Sequence, residues 1–154
     1  GPARGHLDQL WKYDPAADSW NQLCPMYQAR SYHCMVALDG QNKLLVAGGV
    51  CSAGELFNDI QNCELYDMST NQWTTVSPIP LPASCMPCLL HNNQLYLFGG
   101  HAFQEGNSKH DRVQILDVGS WTWDVRTMDT LGILCSTVSL LSFPKSWLRK
   151  ELAK

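Results

Sequence analysis

The sequence predicts an all-β chain built from a repeated unit of four short antiparallel strands, arranged as the blades of a propeller. Three observations predict it. The motif Tyr13-Asp14, five residues, Trp20 returns as Tyr66-Asp67, five residues, Trp73, and again as Leu116-Asp117, five residues, Trp123. The tryptophans are 53 and 50 residues apart. The pair Gly48-Gly49 returns 51 residues later as Gly99-Gly100, each time after a short apolar run, Leu44–Ala47 and Leu95–Phe98. A long period held in register by several features marks blade repeats, which bury their faces only against one another.

The elements follow in order. Leu7 to Tyr13 reads as the third strand of an incomplete blade spanning 7–23, with Trp20 in its last strand. The first whole blade covers 30–77. Ser31 to Leu38 is its innermost strand, and Asp39-Gly40 is a hairpin turn into Lys43–Ala47. Gly48 and Gly49 end that strand where a side chain would clash or φ must be positive. Val50 to Asp59 reads as a long loop, and Ile60–Tyr66 and Gln72–Val76 complete the blade. Between them Asp67, Ser69, Thr70 and Asn71 carry tight-turn chemistry. The second blade covers 83–126: Ser84–Leu90, a turn at His91-Asn92-Asn93, Gln94–Phe98, a loop from His101 to Asp111, Arg112–Leu116 and Trp121–Val125. Ile133–Leu141 aligns with an innermost strand. The expected organisation is therefore one propeller segment over 1–143, with two complete blades and half blades at each end. A short basic tail, 144–154, follows, able to form a marginal helix after Ser146. Since propellers close with four to eight blades, the expectation is a partial propeller.

Bulk properties exclude several classes. The 154 residues carry a net charge of −3, so no electrostatic reason exists to expect nucleic acid or an anionic membrane. The longest apolar run, 131–143, is too short and too polar to span a bilayer. No charged-then-apolar leader is visible. Seven cysteines at irregular spacing, in a chain this long, read as reduced thiols in a cytoplasmic setting, the nucleus being possible.

Candidate chemistry is sparse. Cys85-Met-Pro-Cys88 is a CxxC, but zinc needs a second pair and a redox site wants a helix N-terminus. On a strand, positions three apart face opposite ways. Counted from the tryptophans, Cys85 and Cys135 are placed where His33 falls in the first blade, as small channel-lining residues. His33 itself reads as a core or channel histidine making a hydrogen bond. His101, His110 and Asp111 share one loop at a spacing that matches no standard metal set, so no metal and no cofactor is expected. No nucleophile elbow, P-loop, dinucleotide fingerprint or zincin motif occurs, and the chain is read as a non-enzyme.

The double glycines, Tyr66-Asp67 with Trp73, Asp117 with Trp123, and Tyr13-Asp14 with Trp20 resemble the Kelch repeat family. Pro25-Met26 and Arg30 bring the likeness closest to the Kelch-like proteins that carry an N-terminal BTB domain. The chain departs from the pattern at Leu116, in place of tyrosine, and at Pro82, aligned with Arg30. In that family the BTB domain grips a cullin scaffold and the propeller selects the protein to be ubiquitylated. The resemblance therefore implies a protein-interaction module, the substrate-recognition part of a cullin-based ubiquitin ligase adaptor, with no BTB-like segment in this sequence. An actin-associated Kelch scaffold is the alternative. A copper oxidase on a Kelch fold is a remoter one, because no matching set of tyrosines and histidines is present.

Loops are then the functional surface. In Kelch-like proteins, ligand peptides meet residues just after the double glycine and at the start of the inner strand. By position these are Val50, Ser52, His101 and Phe103, and Arg30, Ser31, Tyr32 and Ser84. Arg30 suits a two-pronged hold on a carboxylate, and Tyr32 and Phe103 suit aromatic contact. The competing reading keeps Arg30 in a local pair within its own blade.

Overall fold

A computed structural model describes residues 5–38, 40–53, 56–106, 108–109 and 111–127. The expected strand Ile133–Leu141, the tail 144–154, and the positions of His110 and Cys135 lie outside them. Every regular element among the described residues is a strand. A hairpin, β1 (Leu10–Asp14) and β2 (Ser19–Leu23), precedes the first blade. That blade comprises β3 (Cys34–Leu38), β4 (Lys43–Ala47), β7 (Cys63–Asp67) and β8 (Gln72–Val76), hydrogen-bonded in that order. Its β4–β7 connection is itself a hairpin, β5 (Val50–Ala53) with β6 (Leu56–Asp59). The second blade repeats the arrangement with β9 (Cys88–His91), β10 (Gln94–Phe98), β13 (Arg112–Asp117) and β14 (Thr122–Thr127). Its connection holds the short pair β11 (His101–Ala102) and β12 (Ser108–Lys109). All ladders are antiparallel, and no helix among the described residues is long and apolar enough to cross a membrane.

The run Lys43–Ala47 is apolar at consecutive positions because both faces of the blade are covered. Val46, Tyr66 and Trp73 pack with Met26 toward the β1–β2 hairpin, joined by the half-buried Leu10, Leu23 and Leu44. Leu45, Ala47, Cys63 and Leu65 form the opposite face. They pack with Leu95, Leu97 and Leu116 of the second blade, with Ile79, Ala83 and Met86 between. Each leucine or isoleucine in this seam contributes about 1.5–3 kcal/mol on burial, so the seam between blades holds much of the core.

The motif residues have mechanical roles. Tyr66 stands opposite Trp73 across β7–β8, their rings 5.0 Å apart. The Trp73 indole N–H donates to the Cys24 carbonyl at 2.7 Å, and the Trp123 indole donates to Ser77 at 3.2 Å. Each tryptophan thus ties its outer strand to the chain leaving the preceding unit. Asp14, Asp67 and Asp117 each accept backbone N–H bonds from the turn that follows. Asp18, Asn71 and Trp121, two residues before each tryptophan, are left-handed. Gly48 (φ 65°) and Gly49 (φ 96°) let two backbones meet. A Cβ there would lie 2.6 Å from the Ala83 and Ser31 carbonyl oxygens respectively.

Several expectations need correction. The inner strands begin later than Ser31 and Ser84, because Tyr32 (φ 56°) and Cys85 (φ 55°) are left-handed and break the extended run. Trp121 is a turn residue, and the strand starts at Thr122. The supposed loop Val50–Asp59 is the paired hairpin β5–β6. The register within the inner hairpins also shifts. The bridges Ser31–Val50 and Ser84–His101 make Ser84 the counterpart of Ser31. Ala83, not Pro82, therefore stands in Arg30's place, and Cys85 matches Tyr32, leaving Met86 to match His33. The cause is the turn after the inner strand, which is shorter in the second blade. Asn92 and Asn93, both at positive φ, close it as a two-residue connection.

Candidate functional site

The segments after the double glycines of the two blades come together at one end of the sheets. Phe57, on β6, and Phe103, after β11, stand with ring centroids 5.3 Å apart. His101 stacks on Phe103 at 6.2 Å, and His6 meets Phe57 edge-on at 5.9 Å. The two connections are also tied by polar contacts. The Gln104 N–H donates to Asp59 Oδ2 at 2.9 Å, and its side-chain amide donates to Asn58 at 2.9 Å. Leu56, Phe57, Asn58, Phe103 and Gln104 line a depression of about 440 Å³. Leu56 and Phe57 are exposed at its edge. His6 bridges Ser31 (2.9 Å) and Ser52 (2.7 Å), joining the preceding segment to the first blade.

Four of the expected contact residues have reachable side chains: Tyr32, which is 59% exposed, Ser52, His101 and Phe103. Ser31 is half-buried, with its hydroxyl on His6. Three others turn inward. Val50 and Ser84 are fully buried, their backbones forming the bridges at the start of each connection.

Arg30 is the largest departure. It is 2% exposed. Its guanidinium donates to the Gly48 and Asn62 carbonyls, both at 2.9 Å, and to Glu64 Oε1 at 2.5 Å. Glu64, itself buried, also accepts the Tyr27 and Gln28 backbone N–H groups. The local-pair reading describes Arg30, and the carboxylate-clamp reading is set aside. Nearby, His33 lacks the expected hydrogen bond at Nδ1, which is buried without a partner. Burial and the adjacent Arg30 charge push its pKa down, with Glu64 opposing. Phe57 carries no sequence signal as a contact residue, because its segment has the pattern of an unpaired loop. Its proximity to Phe103 arises only when the blades pack.

No cluster of three or more metal-ligating side chains occurs among the described residues. Burial pushes the Cys63 thiol up to about 12.

This geometry defines a pair of propeller blades presenting an aromatic-lined connection surface. Comparison with known proteins gives the family: the KLHDC2/KLHL20/DRC7 Kelch-repeats domain matches residues 1–137, and the chain belongs to that Kelch-repeat family. It is 30% identical over 130 residues to Kelch-like protein 26 of Danio rerio, covering 83% of this chain and 21% of that protein. It is also 30% identical over 119 residues to human Kelch-like protein 23, covering 75% of this chain and 20% of that protein. The chain thus spans about a fifth of the length of these relatives. The solved structure of YjhT superposes with a TM-score of 0.70 at 18% identity, covering 80% of this chain and 46% of that one, a likeness of fold.

Proposed function

We propose that this chain is a non-enzymatic protein-interaction module that grips a protein or peptide segment at the connections following its double glycines. Within that reading it is the substrate-recognition portion of a cullin-based ubiquitin ligase adaptor, working in the cytoplasm. One observation supports the site above all: aromatic side chains of two blades, Phe57 and Phe103, meet at the rim of a depression carrying the polar groups of Asn58 and Gln104. Aromatic anchors beside satisfied polar groups are what peptide recognition uses. Tyr32, Ser52 and His101 extend the contact surface. Arg30, Val50 and Ser84 serve the scaffold beneath it.

The test is affinity capture with the full-length protein, comparing wild type with Phe57→Ala plus Phe103→Ala. The expected result is loss of a defined set of partners while folding and any cullin association persist. Identical partner lists would remove the site. Absence of a cullin from the wild-type capture, with partners otherwise present, would remove the adaptor role and favour the actin-associated reading, which filament co-sedimentation checks directly.

A further inference from the structure

The thiols of Cys34 and Cys88 meet across the seam between the blades. Cys34 is on β3 and Cys88 on β9, the innermost strands of consecutive blades. Cys88 is half-buried and packs against the buried cluster that contains Cys34. Its sulfur neighbours the Cys34 thiol and the Met35 backbone N–H. They hold the Cys88 thiol below its ordinary range, whereas the bond Cys34 donates and its burial push Cys34 well up. The pair therefore sets a partly accessible thiol, the easier of the two to deprotonate, beside a protected one, the arrangement of an attacking and a resolving cysteine. The CxxC spacing pointed elsewhere: Cys85 is exposed, and the thiol that Cys88 touches is 54 residues away.

From this juxtaposition we propose that Cys34 and Cys88 form an oxidisable pair that closes a disulfide between the two blades when hydrogen peroxide reaches it. The Cys88 thiolate attacks one peroxide oxygen and the O–O bond breaks. The departing hydroxide takes up the proton the thiol released and leaves as water, with Cys88 now a sulfenic acid. The Cys34 sulfur then attacks the Cys88 sulfur, the S–O bond breaks, and a second water leaves with the Cys34 proton. The two thiols lose two electrons and two protons, and peroxide is reduced to two waters. The two cysteines are on the innermost strands of consecutive blades and pack in one buried cluster, so closure joins side chains that are already neighbours.

The experiment treats the purified chain with hydrogen peroxide, alkylates the remaining thiols and maps non-reduced peptides by mass spectrometry. A Cys34–Cys88 linkage, lighter by two hydrogens and reversed by dithiothreitol, is expected. Cys88→Ser should abolish it and Cys85→Ser should leave it unchanged. Peroxide should raise the unfolding midpoint of the wild type and of Cys85→Ser, and leave that of Cys88→Ser where it was. A Cys85–Cys88 linkage, or Cys88 over-oxidised while Cys34 stays alkylatable, overturns the proposal. Should Cys88→Ser fail to fold, Cys34→Ala serves as the second variant: a peroxide-induced rise in its midpoint overturns the proposal equally.

Discussion

The two blades share a backbone plan but solve the same buried polar problem differently. In the first blade, Glu64 on β7 accepts two backbone N–H groups from the incoming chain, at Tyr27 and Gln28, and the buried Arg30 neutralises it. In the second blade the equivalent of Glu64 is Gln114, opposite Leu97 as Glu64 is opposite Val46. There Ala83 replaces the arginine and Pro80 falls where Tyr27 does, so a cation and one N–H donor are missing. Gln114 fits that deficit. Its oxygen accepts the Leu81 N–H at 2.8 Å, and its amide donates back to the Leu81 carbonyl at 3.0 Å. A carboxylate in that place would have no countercharge, and a buried unpaired charge costs several kcal/mol. The three differences between the blades are one change, made in charge-balanced form.

The largest test breaks the first solution. Arg30→Ala should cost about 3–5 kcal/mol, because Glu64 is left buried and unpaired. Urea denaturation measures it, and a loss within the range of an exposed substitution would contradict the burial described here. Adding Glu64→Gln, which imitates the second blade, should recover part of the loss, with a coupling of about 1–3 kcal/mol between the sites.

The reverse change sharpens the contrast. Gln114→Glu should destabilise by roughly 2–4 kcal/mol at neutral pH, since no arginine awaits it. Burial would raise this carboxyl above its unfolded value near 4.3, so the penalty should vanish in acid and grow as pH rises. Denaturation curves at both pH values decide this, and a pH-independent loss would point to packing instead.

A smaller difference concerns the indoles. Trp73 is 2% exposed, whereas Trp123 is half-buried with a longer hydrogen bond. Trp73→Phe leaves the Cys24 carbonyl without its donor and should cost about 1–3 kcal/mol, against less than about 1 for Trp123→Phe. Equal losses would show that the outer strand of the second blade is as well covered as the first.

The smallest effect belongs to the turns the blades share. Hydrogen bonds from Ser69 and Ser120 hold the Asp67 and Asp117 carboxyls below the usual carboxylate range. A depressed folded-state value means stabilisation present above the unfolded pKa and lost as pH falls through the folded one. NMR titration should therefore find both midpoints below that of an unstructured aspartate. Ordinary midpoints would remove the turn bonds from the account.

Some of this was legible in the sequence, for local reasons. Lys43–Ala47, Gln72–Val76 and Gln94–Phe98 have the strand limits that their apolar runs and turn residues imply. The tryptophan register identified the repeat. Other features depended on distant partners. Arg30 read equally as a ligand clamp or a structural cation, because Glu64, 34 positions on, decides between them. The β5–β6 hairpin was hidden because Val50–Asp59 lacks the strict alternation of a half-buried strand. Tyr32 and Cys85 carry no composition signal for positive φ, so the later start of both inner strands is not legible in the sequence.

The sequence by itself determined the blade: where strands run, where glycines let backbones touch, and where indoles clamp the outer edge. Those properties reside in periods of a few residues and in a repeat that copies them. Only the tertiary structure decided which side chains remain for a partner and which two thiols face one another. The reason is that burial and contact across a seam are set by pairs of residues tens of positions apart, brought together only when one blade packs on the next.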